Sequence, residues 1–288
     1  MTLVTPDVSL DSSLAAGDVT HFWRVPRYHG LDCLRATFRR HSYARHTHET
    51  YAVAAIVAGC ETFFHRGVQH YAGAGSLAIV CPDELHDGAP HGGGFVYRTF
   101  YPSAALMQEI AEDVAGRPLA RPPWFPQSVL DDPELVAELT RLHACLSLEG
   151  QAAPVIEQDT RLVAFLAKLI ARHADFDASP PQPAGRRGIA EVKAYLDDHL
   201  ADDVELTALA GIAGLSRSHF IRAFRQETGL APHAYLMDRR FRAASRLLER
   251  GEAPGDVAAA CGFFDQSHLN RIFKARMAVT PGAYRRAA

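Results

Sequence analysis

Between about residue 21 and residue 101, apolar positions come in short runs broken by Gly, Pro and Asp: "YAVAAIVAG", "ETFFHRG", "SLAIVCPDE", "GFVYRTFY". Partial alternation with turn residues at close intervals predicts an all-β sandwich or barrel. From about 103 to 174 the period becomes helical. In "DPELVAELTRLHACLSLEG" the positions Leu135, Leu139, Leu142 and Leu146 form one stripe. In "PVIEQDTRLVAFLAKLIARH" the stripe is Ile156, Val163, Leu166 and Ile170. An amphipathic helix must bury its stripe, here against the β segment or, for one of the two, against a second copy of the chain. "ASPPQPAGRRG" (178–188) has no apolar period and reads as a linker.

Beyond the linker the pattern is helical throughout. "GIAEVKAYLDDHL" is one helix and "ELTALAGIAG" a short second one. "SRSHFIRAFRQETG" opens at Ser216, a good N-cap, and closes at Gly229. A long helix starts near Pro232 and stops at Gly251, and "PGDVAAACG", "DQSHLNRIFKARM" and "PGAYRR" follow. The expected organisation is a β-plus-helix domain over 18–175, a linker over 176–188 and a helical domain over 189–286.

Charge sharpens that division. The net charge is −3, yet from Leu206 onward 13 Lys and Arg face 6 Asp and Glu, a net +7. The preceding 205 residues carry 17 against 27, a net −10. A basic end on an acidic body points to a polyanionic partner for the basic end. No apolar run is long enough to span a bilayer, and "MTLVTPDVSLDSS" lacks the charged and apolar regions of an export signal. Cys33, Cys60, Cys81, Cys145 and Cys261 are scattered without CxxC spacing. That speaks against a disulfide frame or zinc knuckle and for a reducing, cytoplasmic setting.

The helical end is written twice. His219, Arg222, Phe224, Pro232 and Tyr235 recur as His268, Arg271, Phe273, Pro281 and Tyr284, each 49 residues on. Upstream, Ala210 and Gly214 recur as Ala258 and Gly262 at an offset of 48, so the second turn is one residue longer. Each copy is a short Ala-rich helix, a Gly turn and a second helix, the layout of a helix-turn-helix. Phe220 and Phe224, or Leu269 and Phe273, stand four apart and form the inward face of the second helix. The outward face is then Arg217, Ser218, Ile221, Arg222 and Arg225 in one copy. In the other it is Gln266, Ser267, Asn270, Arg271 and Lys274. Arg, Asn, Gln and Ser can read base edges in the major groove, and Lys suits phosphates. The joining helix would hold the two readers for successive major grooves, about 34 Å apart. Its arginines Arg239, Arg240, Arg242 and Arg246 are expected either on phosphates or in pairs with Asp238 and Glu249.

Over about 186–286 the chain resembles the AraC family of transcription regulators, most specifically in "CGFFDQSHLNRIFK…TPGAYR". The resemblance implies base contacts from Ser218, Ile221, Arg222, Gln266, Ser267 and Arg271. It also implies binding to double-stranded promoter DNA, usually as a homodimer, and activation through RNA polymerase. Ser218 and Ile221 are small or apolar where many members carry larger polar groups. First-half readout would then rest on Arg222 and on contacts with thymine methyls.

In "YARHTHETYAVAAIVAG" His46 and His48 stand two apart, hence on one face of a strand, and His86 follows a Pro turn in "PDELH". The front half resembles the cupin-like barrels that bind small-molecule effectors in this family. That implies an effector pocket, with Arg45, His46, His48, Tyr51 and His86 as its polar groups. Metal-binding cupins use two His, a Glu and a later His. His46, His48 and His86 could supply three ligands, but Tyr51, Ala52 and Val53 stand where the Glu belongs, and Glu49 faces away from His48. Metal ligation, effector hydrogen bonding and plain structural roles all remain open for these histidines. The reading adopted is a non-enzymatic regulator with no cofactor. The competing classes are a metal-dependent cupin enzyme fused to a DNA-binding module, and a sequence-neutral nucleic-acid binder.

Overall fold

The computed structural model describes residues 17–147, 155–176 and 187–287. Most of the expected linker lies outside the described residues. The chain divides into two compact units, one built on a sheet and one on helices.

The first unit runs β1 (Val19–Val25), β2 (Leu31–Phe38), β3 (Tyr43–His46), β4 (Ala52–His65), β5 (Val68–Gly73), β6 (Ser76–Val80) and β7 (His86–Tyr101). Then come α1 (Ala104–Ala115), β8 (Val129–Asp131), α2 (Pro133–Cys145) and α3 (Val155–His173). The strands form one antiparallel sheet in the order β1-β2-β7-β4-β6-β8, with β3 on β7 and β5 on β4. Arg66 and Gly67, both at positive φ, make the two-residue turn that returns β4 into β5. The long strands β4 and β7 shift register at Ile56/Ala58 and again at Gly59/Cys60, and such bulges bend a strand. Gly59 is obligatory there: φ is +73°, and a Cβ would lie 2.0 Å from the Gly94 carbonyl oxygen.

Period-two alternation sorts the sheet into two faces. Val53 and Ala55 of β4, Leu77 and Ile79 of β6 and Phe100 of β7 join the core beneath the helices. Their neighbours Ala52, Ala54, Ala78, Val80, Thr99 and Tyr101 line a cavity on the other side. Leu135, Leu139, Leu142 and Leu146 are buried as expected. On α3 the stripe is phased differently. Leu162, Phe165, Leu166, Leu169 and Ile170 are buried, while Ile156 is 73% and Val163 48% exposed. The pairs Leu162/Leu166 and Leu166/Ile170 define one continuous face, and Val163 is turned about 100° from it. β8, a three-residue strand on β6, had no signature in the sequence.

The second unit is α4 (Arg187–Asp198), α5 (Leu206–Ile212), α6 (Arg217–Thr228), α7 (Pro232–Glu249), α8 (Pro254–Ala260), α9 (Gln266–Met277) and α10 (Pro281–Ala287). Ser216 takes the extended N-cap conformation without a side-chain bond, and Gly229 ends α6 at φ 74°. Pro232 occupies the first turn of α7. Ile189, Val192, Leu196, Leu209, Phe220 and Phe224 form the core of the first helix-turn-helix, α5–α6. In the second, α8–α9, Phe273 packs against Phe241 at 4.6 Å between ring centroids. The repeat extends to ring contacts: Tyr235 stands on Phe224 at 5.3 Å and Tyr284 on Phe273 at 5.5 Å. Among the described residues no helix is long and apolar enough to cross a membrane.

Candidate functional site

The helical unit presents one candidate surface. Phe220 and Phe224 anchor α6, which leaves Arg217, Ile221, Arg222 and Arg225 exposed, and Ser218 lies on the same helix. Leu269 and Phe273 anchor α9 in the same way. Gln266, Ser267 and Arg271 are exposed there, and Asn270 and Lys274 half-buried. The Asp265 carboxylate accepts the His268 N–H at 2.6 Å and so caps α9. Three arginines of α7 are committed within the unit. Arg239 binds Asp197 through two contacts of 2.6 and 3.2 Å. Arg242 pairs with Asp238 at 3.2 Å, both buried. Arg240 donates to the backbone carbonyls of Leu200 (2.6 Å), Asp202 (2.8 Å) and Gly262 (2.5 Å). Intramolecular pairing therefore takes these three, while Arg217, Arg222, Arg225 and Arg271 of the second helices are exposed.

The cavity of the first unit is built on β3, β4, β6 and β7. His46 and His86 sit opposite each other in the β3–β7 register, with ring centroids 4.4 Å apart. His48, just past the end of β3, is 4.8 Å from His86. One ring nitrogen from each of the three lies within 4.8 Å of the others. Each Nδ1 faces a backbone carbonyl: His46 that of Ala44 (2.8 Å), His48 that of Thr50 (2.7 Å), His86 that of Glu84 (3.1 Å). A carbonyl only accepts, so Nδ1 carries the proton, which in a neutral ring makes Nε2 the nitrogen with a lone pair. Burial, then the neighbouring His46, pushes the pKa of His86 well below the ordinary value and keeps it neutral. This donor set fits a divalent first-row transition metal. Bound there, such an ion would supply a Lewis-acidic position for an oxygen or nitrogen of a small ligand.

A brace holds the turn that carries His86. The Glu84 carboxylate takes Arg66 through Nε (2.9 Å) and Nη2 (2.7 Å), and meets His65 Nε2 at 3.0 Å. His65 Nδ1 in turn meets Ser128 Oγ at 2.9 Å. Burial alone would raise the pKa of Glu84, but His65 and Arg66 outweigh it and lower it.

Of the five expected effector residues only the three histidines are brought together. Arg45 is exposed, paired with Asp87 at 3.4 Å and lying over the Phe64 ring. Tyr51 is buried on the helix side and donates to the Pro123 carbonyl at 2.5 Å. Both follow from alternation: Arg45 is adjacent to His46, and Tyr51 has the parity of Val53. The cavity instead recruits Tyr43, Glu61, Phe63, Tyr97, Thr99 and Tyr101. The Tyr43 and Tyr97 hydroxyls bond each other at 2.8 Å. Burial, with Glu61 adding, raises the pKa of all three tyrosines. Glu61 itself is pushed up to about 8 by burial. The signal for it was present, since Glu61, Phe63 and His65 share one parity and a carboxylate there points inward.

A family model described as an AraC-like ligand binding domain matches residues 28–170, and a helix-turn-helix domain model matches 209–287. The chain belongs to the AraC family of transcriptional regulators. The HTH-type transcriptional regulator YbfI of Bacillus subtilis is 29% identical over 230 residues, 79% of this chain and 81% of that protein. The HTH-type transcriptional activator RhaS of Escherichia coli is 40% identical over 82 residues, which is 28% of this AraC-family chain and 30% of its relative. Apo ToxT from Vibrio cholerae shares the fold, with a TM-score of 0.50 at 10% identity over 95% of this chain and 98% of ToxT. ToxT bound to an unsaturated fatty acid gives 0.50 at 11% identity over 98% and 97%. This AraC-family regulator thus combines a ligand-binding β domain with a helical DNA-binding domain.

Proposed function

We propose that the chain binds promoter DNA in a sequence-specific way through α6 and α9, under control of a small molecule held in the β-domain cavity. The observation that carries this is the exposure of Arg222 and Arg271 at equivalent positions of two helix-turn-helix copies, each helix anchored by two buried residues. The 18-residue α7 between them is about 27 Å long, a fitting spacer for readers of successive major grooves. Ser218, Ile221, Gln266 and Ser267 complete the proposed base-reading set, with Arg217, Arg225, Asn270 and Lys274 around it. Two copies of the chain pair through the outer face of α3, where Ile156 and Val163 are exposed. The bound dimer activates transcription, as RhaS does by its name, and does so by contact with RNA polymerase; the chain acts in the cytoplasm without an enzymatic step.

Arg271→Ala tests the reading. Fluorescence anisotropy at fixed salt, with an operator series mutated one pair at a time, should show lost preference at one base pair, about 1–3 kcal/mol of discrimination. A uniform drop across all sequences would assign Arg271 to phosphate and overturn its place as a reader. The histidine cluster favours one second reading, a metal-dependent cupin enzyme on a DNA-binding module. Metal analysis of the purified chain beside turnover measurements separates the two.

A further inference from the structure

Among the described residues the buried acids other than Glu61, and the half-buried Glu84, are held by partners from within the chain. Asp18 accepts backbone N–H groups of Arg39, Arg40 and His41. Asp32 holds Arg24, Asp132 holds Arg172 and His173, Asp238 holds Arg242, and Glu84 holds Arg66. Glu61 departs from this pattern. It is 8% exposed and lines the cavity, and among the described residues its carboxylate takes no hydrogen bond and no basic partner. Thr99 is a second such group, its Oγ1 buried in the same wall without a hydrogen-bond partner among the described residues. Buried polar groups in native proteins are satisfied by chain, water or ligand, and an isolated buried carboxylate is the most expensive kind to leave open.

The surroundings keep space at this carboxylate. A Cβ on Gly88 would lie 3.0 Å from Glu61 Oε1 and 3.2 Å from the Tyr43 ring. Ala52, Ala54 and Ala78 supply the wall where larger side chains would fill the interior. The rings of Tyr43, Phe63, Tyr97 and Tyr101 also line the cavity, whose lining further includes the three histidines, Asp87 and Arg276. Aromatic faces attract positive charge, and a cation seated beside Glu61 would favour its ionised form against the burial that raises its pKa, whereas a second anion would oppose ionisation further.

We propose that the β-domain cavity takes a small organic cation, an amine or alkylammonium compound, with Glu61 as its counter-charge. The proposal rests on the reading of this cavity as the effector site and names the class of effector. The cation seats against Glu61 within the tyrosine rings, and its polar remainder reaches Thr99 and the histidine end. A carboxylate ligand would bring two acids together in a closed space.

The test uses the full chain and four probes: choline, ethanolamine, 3,3-dimethyl-1-butanol as the uncharged shape-mate of choline, and butyrate. Thermal melts and isothermal titration calorimetry should show binding of at least one cation, and at least about tenfold weaker binding of the neutral and anionic probes. Glu61→Gln should weaken the cation by about tenfold or more while the chain remains folded. The selectivity of the unaltered chain needs no variant and decides the matter even if Glu61→Gln is unstable. Equal or tighter binding of the neutral or carboxylate probe overturns the proposal. So does an unchanged cation affinity in Glu61→Gln, or the absence of any cation binding up to about 10 mM. Operator binding by the same preparation is read separately. It follows Arg271, so a negative result here leaves the DNA-binding reading in place.

Discussion

His143 makes the stability of the β domain depend on acidity in a way that can be calculated. The side chain, on α2, is 2% exposed, donates from Nε2 to the Leu34 carbonyl at 3.2 Å and meets the Trp23 ring edge-on at 4.5 Å. Burial first, then the nearby Arg98, holds its pKa down to about 3. Arg35 and His21 act in the same sense, and the Leu34 bond opposes them. In the unfolded chain the value returns to roughly 6.5. The folded state therefore binds fewer protons between these two values, so stability is complete above about pH 6.5 and is lost as pH falls toward 3. The linkage relation gives a loss of about 2 kcal/mol at pH 5 and a ceiling of roughly 5 kcal/mol in stronger acid. Both tryptophans, Trp23 and Trp124, lie in this unit, so fluorescence excited selectively at tryptophan follows it alone during urea unfolding. His143→Gln keeps a donor for Leu34 and removes the titration. Burial also lowers the pKa of His41, His70 and His86, so wild type retains an acid slope from several rings. The decisive quantity is the difference between the two proteins. The variant should lose about 2 kcal/mol less than wild type between pH 7.5 and pH 5. Equal losses in both would refute the assignment of this slope to His143.

Gly59→Ala should destabilise the β domain by about 2–4 kcal/mol, because it combines a left-handed φ with a clash against backbone. A lowered urea midpoint in tryptophan fluorescence checks it, and an unchanged midpoint would mean the bulge is free to move. Phe224→Ala removes a fully buried ring from the first helix-turn-helix and should cost it about 3–5 kcal/mol. Far-UV circular dichroism should then show early helix loss and anisotropy should show lost operator binding, while the tryptophan transition stays where it was.

Much of this fold was legible because its signals are local. The duplicated spacing of Phe224/Tyr235 and Phe273/Tyr284 marked two equal units, and the structure closes the same ring contact in each. The leucine stripe of α2 is as regular as its pattern. The α3 stripe was misphased because Val155, Ile156, Val163 and Leu166 are all apolar, and hydrophobicity alone cannot say which arc packs against α1 and α2. The cavity was half legible. His46, His48 and His86 carry a motif, whereas Glu61, Tyr97 and Thr99 meet them only through the pairing of β4 with β7. Strand parity would have excluded Arg45 and Tyr51, but proximity in sequence drew attention to them first. β8 is too short for its hydrophobic pattern to speak, and it exists because β6 offers an edge.

One guanidinium, that of Arg240, grips carbonyls at the end of α4 and in the turn before α9. The connecting rod is thereby tied near its midpoint to both helix-turn-helix copies, and the two proposed readers would behave as a caliper with a locked jaw. A changed letter in a target site would cost about 1–3 kcal/mol, but an inserted or deleted base pair between the half-sites would remove one proposed reader from its groove altogether. Promoters recognised by this chain should accordingly vary in sequence far more than in interval.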